Sequence, residues 1–232
     1  MQLSKRLSGS ITARFINSNL TDGLTVSGVE TKPGRAVAVD LGAFYKTKSF
    51  KLGEYKANVN IGMNVSNIGN KVSYTNSANR DFLPSNLRLG SVLNMDIDQY
   101  NQFSIGVDLN KLLVPTPDPN DPNANDNIGW VEGIFSSFGD APGGFSEEIK
   151  EFTYALGAEY LYDNAFAVRA GYFHESVDKG NRQYFTLGGG FKTNALNIDL
   201  SYLINASDVN NPLENSLRFS ISFDLGEIYD DY

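Results

Sequence analysis

A strict alternation of apolar and polar residues organises this sequence, most clearly near its C-terminal end. Between 196 and 204 the even positions are all apolar or aromatic: Leu196, Ile198, Leu200, Tyr202 and Ile204. From 217 to 225 the odd positions repeat the pattern with polar residues between them: Leu217, Phe219, Ile221, Phe223 and Leu225. A period of two predicts β-strands that have one apolar and one polar face.

Eight further segments show the same alternation, at 7–15, 37–45, 58–65, 87–95, 103–110, 152–160, 166–172 and 185–191. Together they predict roughly ten strands, each close to the length of about 9–11 residues that crosses a bilayer when the strand is tilted. We therefore expect an all-β protein whose domain, spanning 1–232, is a transmembrane antiparallel β-barrel.

The connections between the predicted strands alternate in length. Short ones fall at 46–54, 96–102, 161–165 and 192–195, and the longest connection of all is 113–149. Outer-membrane barrels alternate short periplasmic turns with longer extracellular loops. The pattern thus predicts the cell outer membrane, with 113–149 as a long extracellular loop. A soluble β-sandwich is the alternative, but its strands are usually shorter, at about five or six residues.

Composition and charge exclude several classes of function. The chain has no cysteine, so neither a disulfide nor a thiolate metal site is available. Its net charge of −8 disfavours nucleic acid as a partner, because phosphate binding requires a basic surface. The acidic residues lack the spacing of a calcium-binding loop. We expect no metal and no cofactor.

Catalysis is not expected either. His174 is the only histidine, and it is followed directly by Glu175 and Ser176. Three consecutive residues of an extended segment cannot converge on one substrate, and no G-x-S-x-G nucleophile motif is present. We interpret His174 as a loop residue in water and the protein as not an enzyme.

The connection 113–149 contains a predicted short amphipathic helix. Trp130, Ile134, Phe135 and Phe138 share one helical face, and Gly139 is placed to end the helix. An apolar face in an outer loop must be covered by the barrel mouth, by lipid or by a partner. The sequence leaves these three alternatives open.

Several motifs together resemble the PorV family, FadL-like outer-membrane proteins of the type IX secretion system. They are NIG at 67–69, FLPSNLRLG at 82–90, FSSFGDAPGGFSEE at 135–148, AGYFHE at 170–175, KGNRQYFTLG at 179–188 and NPLENSLRF at 211–219. The resemblance covers most of the chain. It is specific as a combination, whereas each string alone is weak.

The resemblance implies a carrier function in the outer membrane, in contact with membrane lipid and lipopolysaccharide. Such proteins receive the C-terminal domain of secreted cargo from the SprA (Sov) translocon and deliver it to the PorU sortase complex. The implied cargo-binding or partner-binding residues lie in the outer loop: Trp130, Ile134, Phe135, Phe138, Pro142 and Phe145.

The resemblance also leaves two other functions open. One is a FadL-type channel for hydrophobic small molecules, although the inward positions of the predicted strands are mostly Asn, Asp, Ser, Arg and Gly. The other is a lipopolysaccharide-modifying enzyme, for which His174 is the only support. A FadL-like barrel has more strands than the roughly ten expected here. We therefore expect the chain to be the C-terminal portion of a longer barrel protein, with a complete ten-stranded barrel as the alternative.

Overall fold

A computed structural model describes residues 1–19, 24–26, 28–75, 80–118, 120–121, 124–209 and 213–223. The strands are β1 Leu7–Ser18, β2 Thr25–Val26, β3 Val29–Glu30, β4 Gly34–Lys46, β5 Phe50–Leu52, β6 Tyr55–Gly69, β7 Asn86–Asp96, β8 Asn101–Leu112, β9 Phe152–Tyr162, β10 Phe166–His174, β11 Gln183–Lys192, β12 Leu196–Asn205 and β13 Leu217–Phe223. The helices are α1 Trp130–Ser136 and α2 Phe145–Lys150, with a 3₁₀ turn at Val177–Lys179.

The ten long strands form one antiparallel meander, which confirms the all-β class. Their order is β1-β4-β6-β7-β8-β9-β10-β11-β12-β13, with the short β5 paired to β6 and with β2 and β3 in a separate hairpin. Each alternating segment predicted from the sequence forms one of these long strands. Leu225, the last residue of the predicted final strand, lies outside the described residues. Within the described residues, β1 and β13 are the two ends of the strand order.

The apolar face of the central strands is exposed. Leu156 on β9, Val168 on β10 and Leu187 on β11 are 53%, 65% and 54% exposed. A soluble β-sandwich would bury such side chains between its two sheets, because burial of apolar surface is what stabilises that fold. Their exposure is typical of strands that face lipid.

The shortest turn shows why the strand register is well defined. Asp163 and Asn164 have positive φ values of 51° and 52°, between the end of β9 and the start of β10. Two consecutive left-handed residues match the twist of paired strands, and Asp and Asn adopt that conformation more readily than most residues. The short connection predicted at this dipeptide is confirmed.

No helix in the described part of the chain is long and apolar enough to cross a membrane.

By its contacts the chain divides into two compact units. Unit 1 comprises Met1–Tyr45, Gly62–Leu89 and Asn110–Phe152, and unit 2 comprises Lys46–Ile61, Gly90–Leu109 and Thr153–Tyr232. Unit 1 has a small apolar core made of Ala36, Ala38, Val72 and Leu83, against which Ile16 and Tyr74 pack.

A chain of polar contacts in unit 1 joins β1 to the start of the long connection. Arg14 forms an ion pair with buried Asp40, whose other carboxylate oxygen accepts the Asn67 N–H at 2.9 Å. The Asn67 side chain donates to the carbonyl of Pro84, and Ser85 donates its hydroxyl proton to the carbonyl of Asn67. The Ser85 carbonyl then accepts the N–H of the residue that follows β8, at 2.7 Å. These bonds fix where the connection after β8 begins.

The polar face of unit 2 borders a cavity of about 730 Å³. Arg169 lies on this face and donates to Glu159 and Asp199, at 2.5 Å each. Asp199 is two strands away from Arg169, and Gly188 and Gly190 of β11 lie between them. A Cβ at Gly190 would lie only 2.7 Å from the Asp199 carboxylate, so the glycine run provides room for the arginine to reach across the strand.

The close approach of β4 and β6 in unit 1 can be tested at Gly69. A Cβ there would overlap the carbonyl oxygen of Val37, whereas a Cβ at Gly62 of the same strand meets nothing within 4 Å. We expect Gly69→Ala to lower the free energy of unfolding by about 1–3 kcal/mol, because backbone atoms cannot move aside cheaply. Thermal unfolding in detergent micelles, followed by circular dichroism, measures the change. Gly62→Ala is the matched control, and equal unfolding temperatures for the two variants would contradict the packing described.

Candidate functional site

The connection between β8 and β9 contains both α-helices of unit 1. α1 begins at Trp130, as the apolar spacing predicts, but it ends at Ser136. The prediction that Gly139 ends the helix is wrong, because the serines end it earlier. The hydroxyls of Ser136 and Ser137 donate to the carbonyls of Gly133 and Ile134 and so satisfy the last turn.

α1 packs through its glycine rather than through its aromatic residues. Gly133 is buried, and a Cβ there would lie 2.5 Å from the Phe82 ring and 3.1 Å from Pro115. Phe82 is held in turn by Lys71, whose ammonium lies 4.0 Å from the ring centroid and donates to two backbone carbonyls of the connection, at 125 and 126. The aromatic side of the helix is therefore left uncovered.

The six residues predicted to bind a partner are mostly exposed. Phe135 and Phe145 are 73% and 80% exposed, and Trp130, Phe138 and Pro142 are also exposed. Only Ile134 is partly buried. We call Trp130, Phe135, Phe138 and Phe145 the docking surface. Phe145 begins α2, a second short helix that the sequence analysis did not predict.

A buried ionic cluster anchors the docking surface to the sheet. Lys111, near the end of β8, is completely buried, and its ammonium donates to Glu148 and Glu151 at 2.7 Å each. Both carboxylates belong to the α2 region, since Glu148 lies in α2 and Glu151 directly follows it. The same ammonium lies 5.8 Å from the centroid of the Phe138 ring. One cation therefore joins β8, α2 and the docking surface.

Further hydrogen bonds hold the segment between the two helices. The backbone N–H of Thr116 donates to Asp140 at 3.0 Å, and its hydroxyl lies within hydrogen-bond distance of both Asp140 and Glu151. The second oxygen of Glu148 accepts the Ala141 N–H at 3.3 Å. Buried carboxylates are costly unless they are paired in this way.

Three carboxylates in this cluster raise the question of a bound cation. Asp140, Glu148 and Glu151 offer oxygens that lie within 4.8 Å of one another, which is close enough to hold a metal ion. Two of them already accept hydrogen bonds from Lys111. The lysine ammonium thus supplies the positive charge that a metal ion would otherwise provide.

Lys111 was not among the residues predicted from the sequence to be functional, although the sequence carries a signal for it. Alternation along β8 places Lys111 on the strand face of Phe103, Ile105, Val107 and Leu109, the apolar face. A charged residue at such a position predicts a covering partner, because an isolated ammonium is too costly to bury. The carboxylates that provide it are 37 and 40 residues away in sequence, so only the folded chain identifies them.

The interpretation of His174 as a loop residue in water is wrong, because it is the last residue of β10 and is partly buried. Its neighbours are aromatic residues instead of a nucleophile. Its ring stacks on Tyr154 with the centroids 4.6 Å apart, and Nδ1 lies 3.3 Å from the Tyr172 hydroxyl. Buried Glu175 is directed to Arg182, which donates to both of its carboxylate oxygens at 2.7 Å. The acid and the histidine therefore do not form the pair that a hydrolase would need.

The pair of Glu175 and Arg182 predicts a dependence of stability on pH. Hydrogen bonds from the Arg182 side chain hold the pKa of Glu175 below its usual value of 4.5, despite burial, which acts in the opposite direction. The pair therefore stabilises the fold fully above about pH 4.5, and this contribution is lost as the pH falls through the lowered pKa. We expect Glu175→Gln to remove that part of the acid destabilisation.

Unfolding temperatures measured between about pH 6 and pH 3 test this expectation. Glu54→Gln, at an exposed position in the turn before β6, is the matched control. Identical pH profiles for the wild type and Glu175→Gln would show that the pair contributes nothing to stability.

Removal of Lys111 should release the long connection. Lys111→Met leaves buried Glu148 and partly buried Glu151 without their cation, and breaking a buried ion pair typically costs about 3–5 kcal/mol. We expect faster proteolysis within 113–151 and a shift of the fluorescence of Trp130, the only tryptophan, to longer wavelength. Lys51→Met, at an exposed lysine of β5, should change neither. Unchanged cleavage in Lys111→Met would mean that the cluster does not anchor the connection.

A comparison with known families identifies the chain. The family model described as type IX secretion system protein PorV matches residues 1–119, which is half of the chain and includes β1 to β8. No curated protein matches the chain. The motifs at 67–69 and 82–90 lie inside the matched region, and the polar contacts of Asn67 and Ser85 in unit 1 involve these motifs. The chain belongs to the PorV family of type IX secretion system proteins.

Proposed function

We propose that this protein is an outer-membrane carrier of the type IX secretion system. It receives the C-terminal domain of secreted cargo from the SprA (Sov) translocon and delivers it to the PorU sortase complex. The single observation that carries the proposal is the docking surface, whose exposed aromatic side chains are fixed to β8 by a buried ionic cluster. The family match supports the secretion system, and the docking surface supports the protein partner.

Large exposed aromatic side chains favour a protein partner. Aromatic residues are enriched at the centres of protein interfaces, where a few of them provide most of the binding energy. Phe135 and Phe145 combine high exposure with a rigid mount, so little conformational entropy is lost when they bind. An exposed apolar patch of this kind in a folded protein is typical of an interaction site.

The side from which the connection approaches β8 also favours a partner over a plug. Because Lys111 lies on the apolar face of its strand, Glu148 and Glu151 approach β8 on that face. A plug would instead contact the polar face, which carries Ser104, Gly106 and Asp108. Of the three ways to cover the apolar helix, lipid and a protein partner are therefore favoured.

The same proposal assigns the environment of the protein. The family and the exposed apolar strand faces support the outer membrane, where those faces contact lipid and the lipopolysaccharide of the outer leaflet. The long connections face the cell exterior, where cargo emerges.

The polar groups of the described cavity favour the carrier over a channel for hydrophobic molecules, although its lining also includes apolar side chains such as Val92, Leu156 and Phe173. Its lining includes Asn94, Ser104, Asp108 and the ion-paired Arg169. An apolar solute would have to displace water from these groups without replacing their hydrogen bonds. Ion-paired groups in such a lining suit a barrel that supports its loops better than one that conducts lipids.

The proposal predicts that the docking surface controls cargo affinity. We expect the double variant Phe135→Ala, Phe145→Ala to bind the purified cargo C-terminal domain at least about tenfold more weakly, since truncation of a central aromatic typically costs about 2 kcal/mol or more. Binding of the detergent-solubilised protein is measured by biolayer interferometry. Phe50→Ala, at an exposed phenylalanine of β5, is the matched control and should bind like the wild type. Undiminished affinity in the double variant would overturn the assignment of this surface.

A further inference from the structure

The connection that carries the docking surface is uniformly acidic. Residues 113–149 contain seven carboxylates and no Lys, Arg or His: Asp118, Asp121, Asp126, Glu132, Asp140, Glu147 and Glu148. The rest of the chain holds the other 20 acidic residues and all 19 Lys and Arg residues, so its charges nearly cancel. Almost the whole net charge of −8 is therefore concentrated in this connection.

Some of these carboxylates are used inside the fold, but one is directed outward beside the aromatic residues. Glu148 and Asp140 bond to Lys111 and Thr116, and Glu147 accepts the Gly143 N–H at 2.7 Å. Glu132 of α1 is exposed, and no ion pair to it occurs among the described residues. It lies three residues before Phe135, so the two side chains are neighbours on one side of the helix.

We propose that the docking surface binds a basic amphipathic segment of its protein partner, in which Lys or Arg residues alternate with or flank aliphatic ones. This inference rests on the proposed function and specifies the chemistry of the partner. The aliphatic side chains cover Phe135 and Phe145, and a cationic side chain pairs with Glu132. The basic residues also approach a connection that itself contains seven carboxylates and no basic residue.

Charge complementarity decides between a basic and an acidic partner. An acidic segment would bring like charges against Glu132 and the other exposed carboxylates of the connection, and such a juxtaposition costs several kcal/mol across an interface. A basic segment is attracted to the connection instead. The attraction mainly speeds association, and it weakens strongly as the salt concentration rises. An uncharged apolar segment would bind with little dependence on salt.

A charge reversal at Glu132 tests the inference. In about 50 mM salt we expect Glu132→Lys to weaken binding of the cargo C-terminal domain about tenfold, and Glu132→Gln to have a smaller effect. The difference should largely disappear in about 0.5 M salt, where charges on the surface are screened. Glu54→Lys, a reversal at an exposed turn, controls for the change in net charge and should bind like the wild type. The emission of Trp130 in each variant reports whether α1 is intact.

Two synthetic peptides provide a second measurement that does not depend on cargo. One consists of Lys and Leu in an amphipathic pattern, and the other replaces each Lys by Glu. We expect the protein to bind the Lys peptide, to lose this binding in Glu132→Lys but not in Glu54→Lys, and to ignore the Glu peptide.

The outcomes separate this inference from the proposed function. If cargo binding requires Phe135 and Phe145 but is the same in Glu132→Lys and the wild type, the carrier function stands and the basic partner is wrong. If the Lys peptide binds in a manner that depends on Glu132 while cargo does not bind, the basic segment stands and the cargo assignment is wrong. Failure of both ligands to bind would overturn both proposals.

Discussion

The position of α2 against the sheet depends on one contact, the ion pairs of the buried Lys111 ammonium with Glu148 and Glu151. Lys111 lies on the apolar face of β8, where burial of an unpaired charge would be strongly unfavourable. Ion pairs with Glu148 and Glu151 offset the lost hydration of its ammonium. In return, the lysine holds α2 and the ring of Phe138 against the sheet. Within the described part of the connection, α2 thus lies against β8 while Phe135 and Phe145 stay exposed.

Both units rely on polar contacts between strands that are distant in sequence. In unit 1, Asn67 links Asp40 to Ser85 through hydrogen bonds. In unit 2, Arg169 of β10 donates to Asp199 of β12 across the glycines of β11. A barrel wall that faces lipid cannot gain from the hydrophobic effect on its outer side, so contacts on the polar face specify how the strands fit together. This division leaves the apolar face exposed, as strands that face lipid require.

The sequence predicted the strands well and the helices of the long connection in part. Alternation is a local signal with a period of two, so each of the ten long strands could be located without knowledge of its neighbours. The start of α1 at Trp130 and the tight turn at Asp163 were local signals as well. The end of α1 could not be predicted from Gly139. The hydroxyl of buried Ser137 donates to the Ile134 carbonyl and satisfies the last turn, and the burial of Ser137 is known only from the folded chain.

By itself, therefore, the sequence determined the all-β class, the ten strands, the absence of thiol chemistry and the aromatic residues of the long connection, since all of these follow from residue type and spacing. Only the tertiary structure decided that Lys111 meets Glu148, that Gly133 rather than Trp130 packs α1, and that Phe145 begins a second helix. The physical reason is the distance along the sequence over which each feature is specified. A period of two is written in neighbouring residues, whereas the partner of a buried charge is chosen by the folded chain from residues far away in sequence.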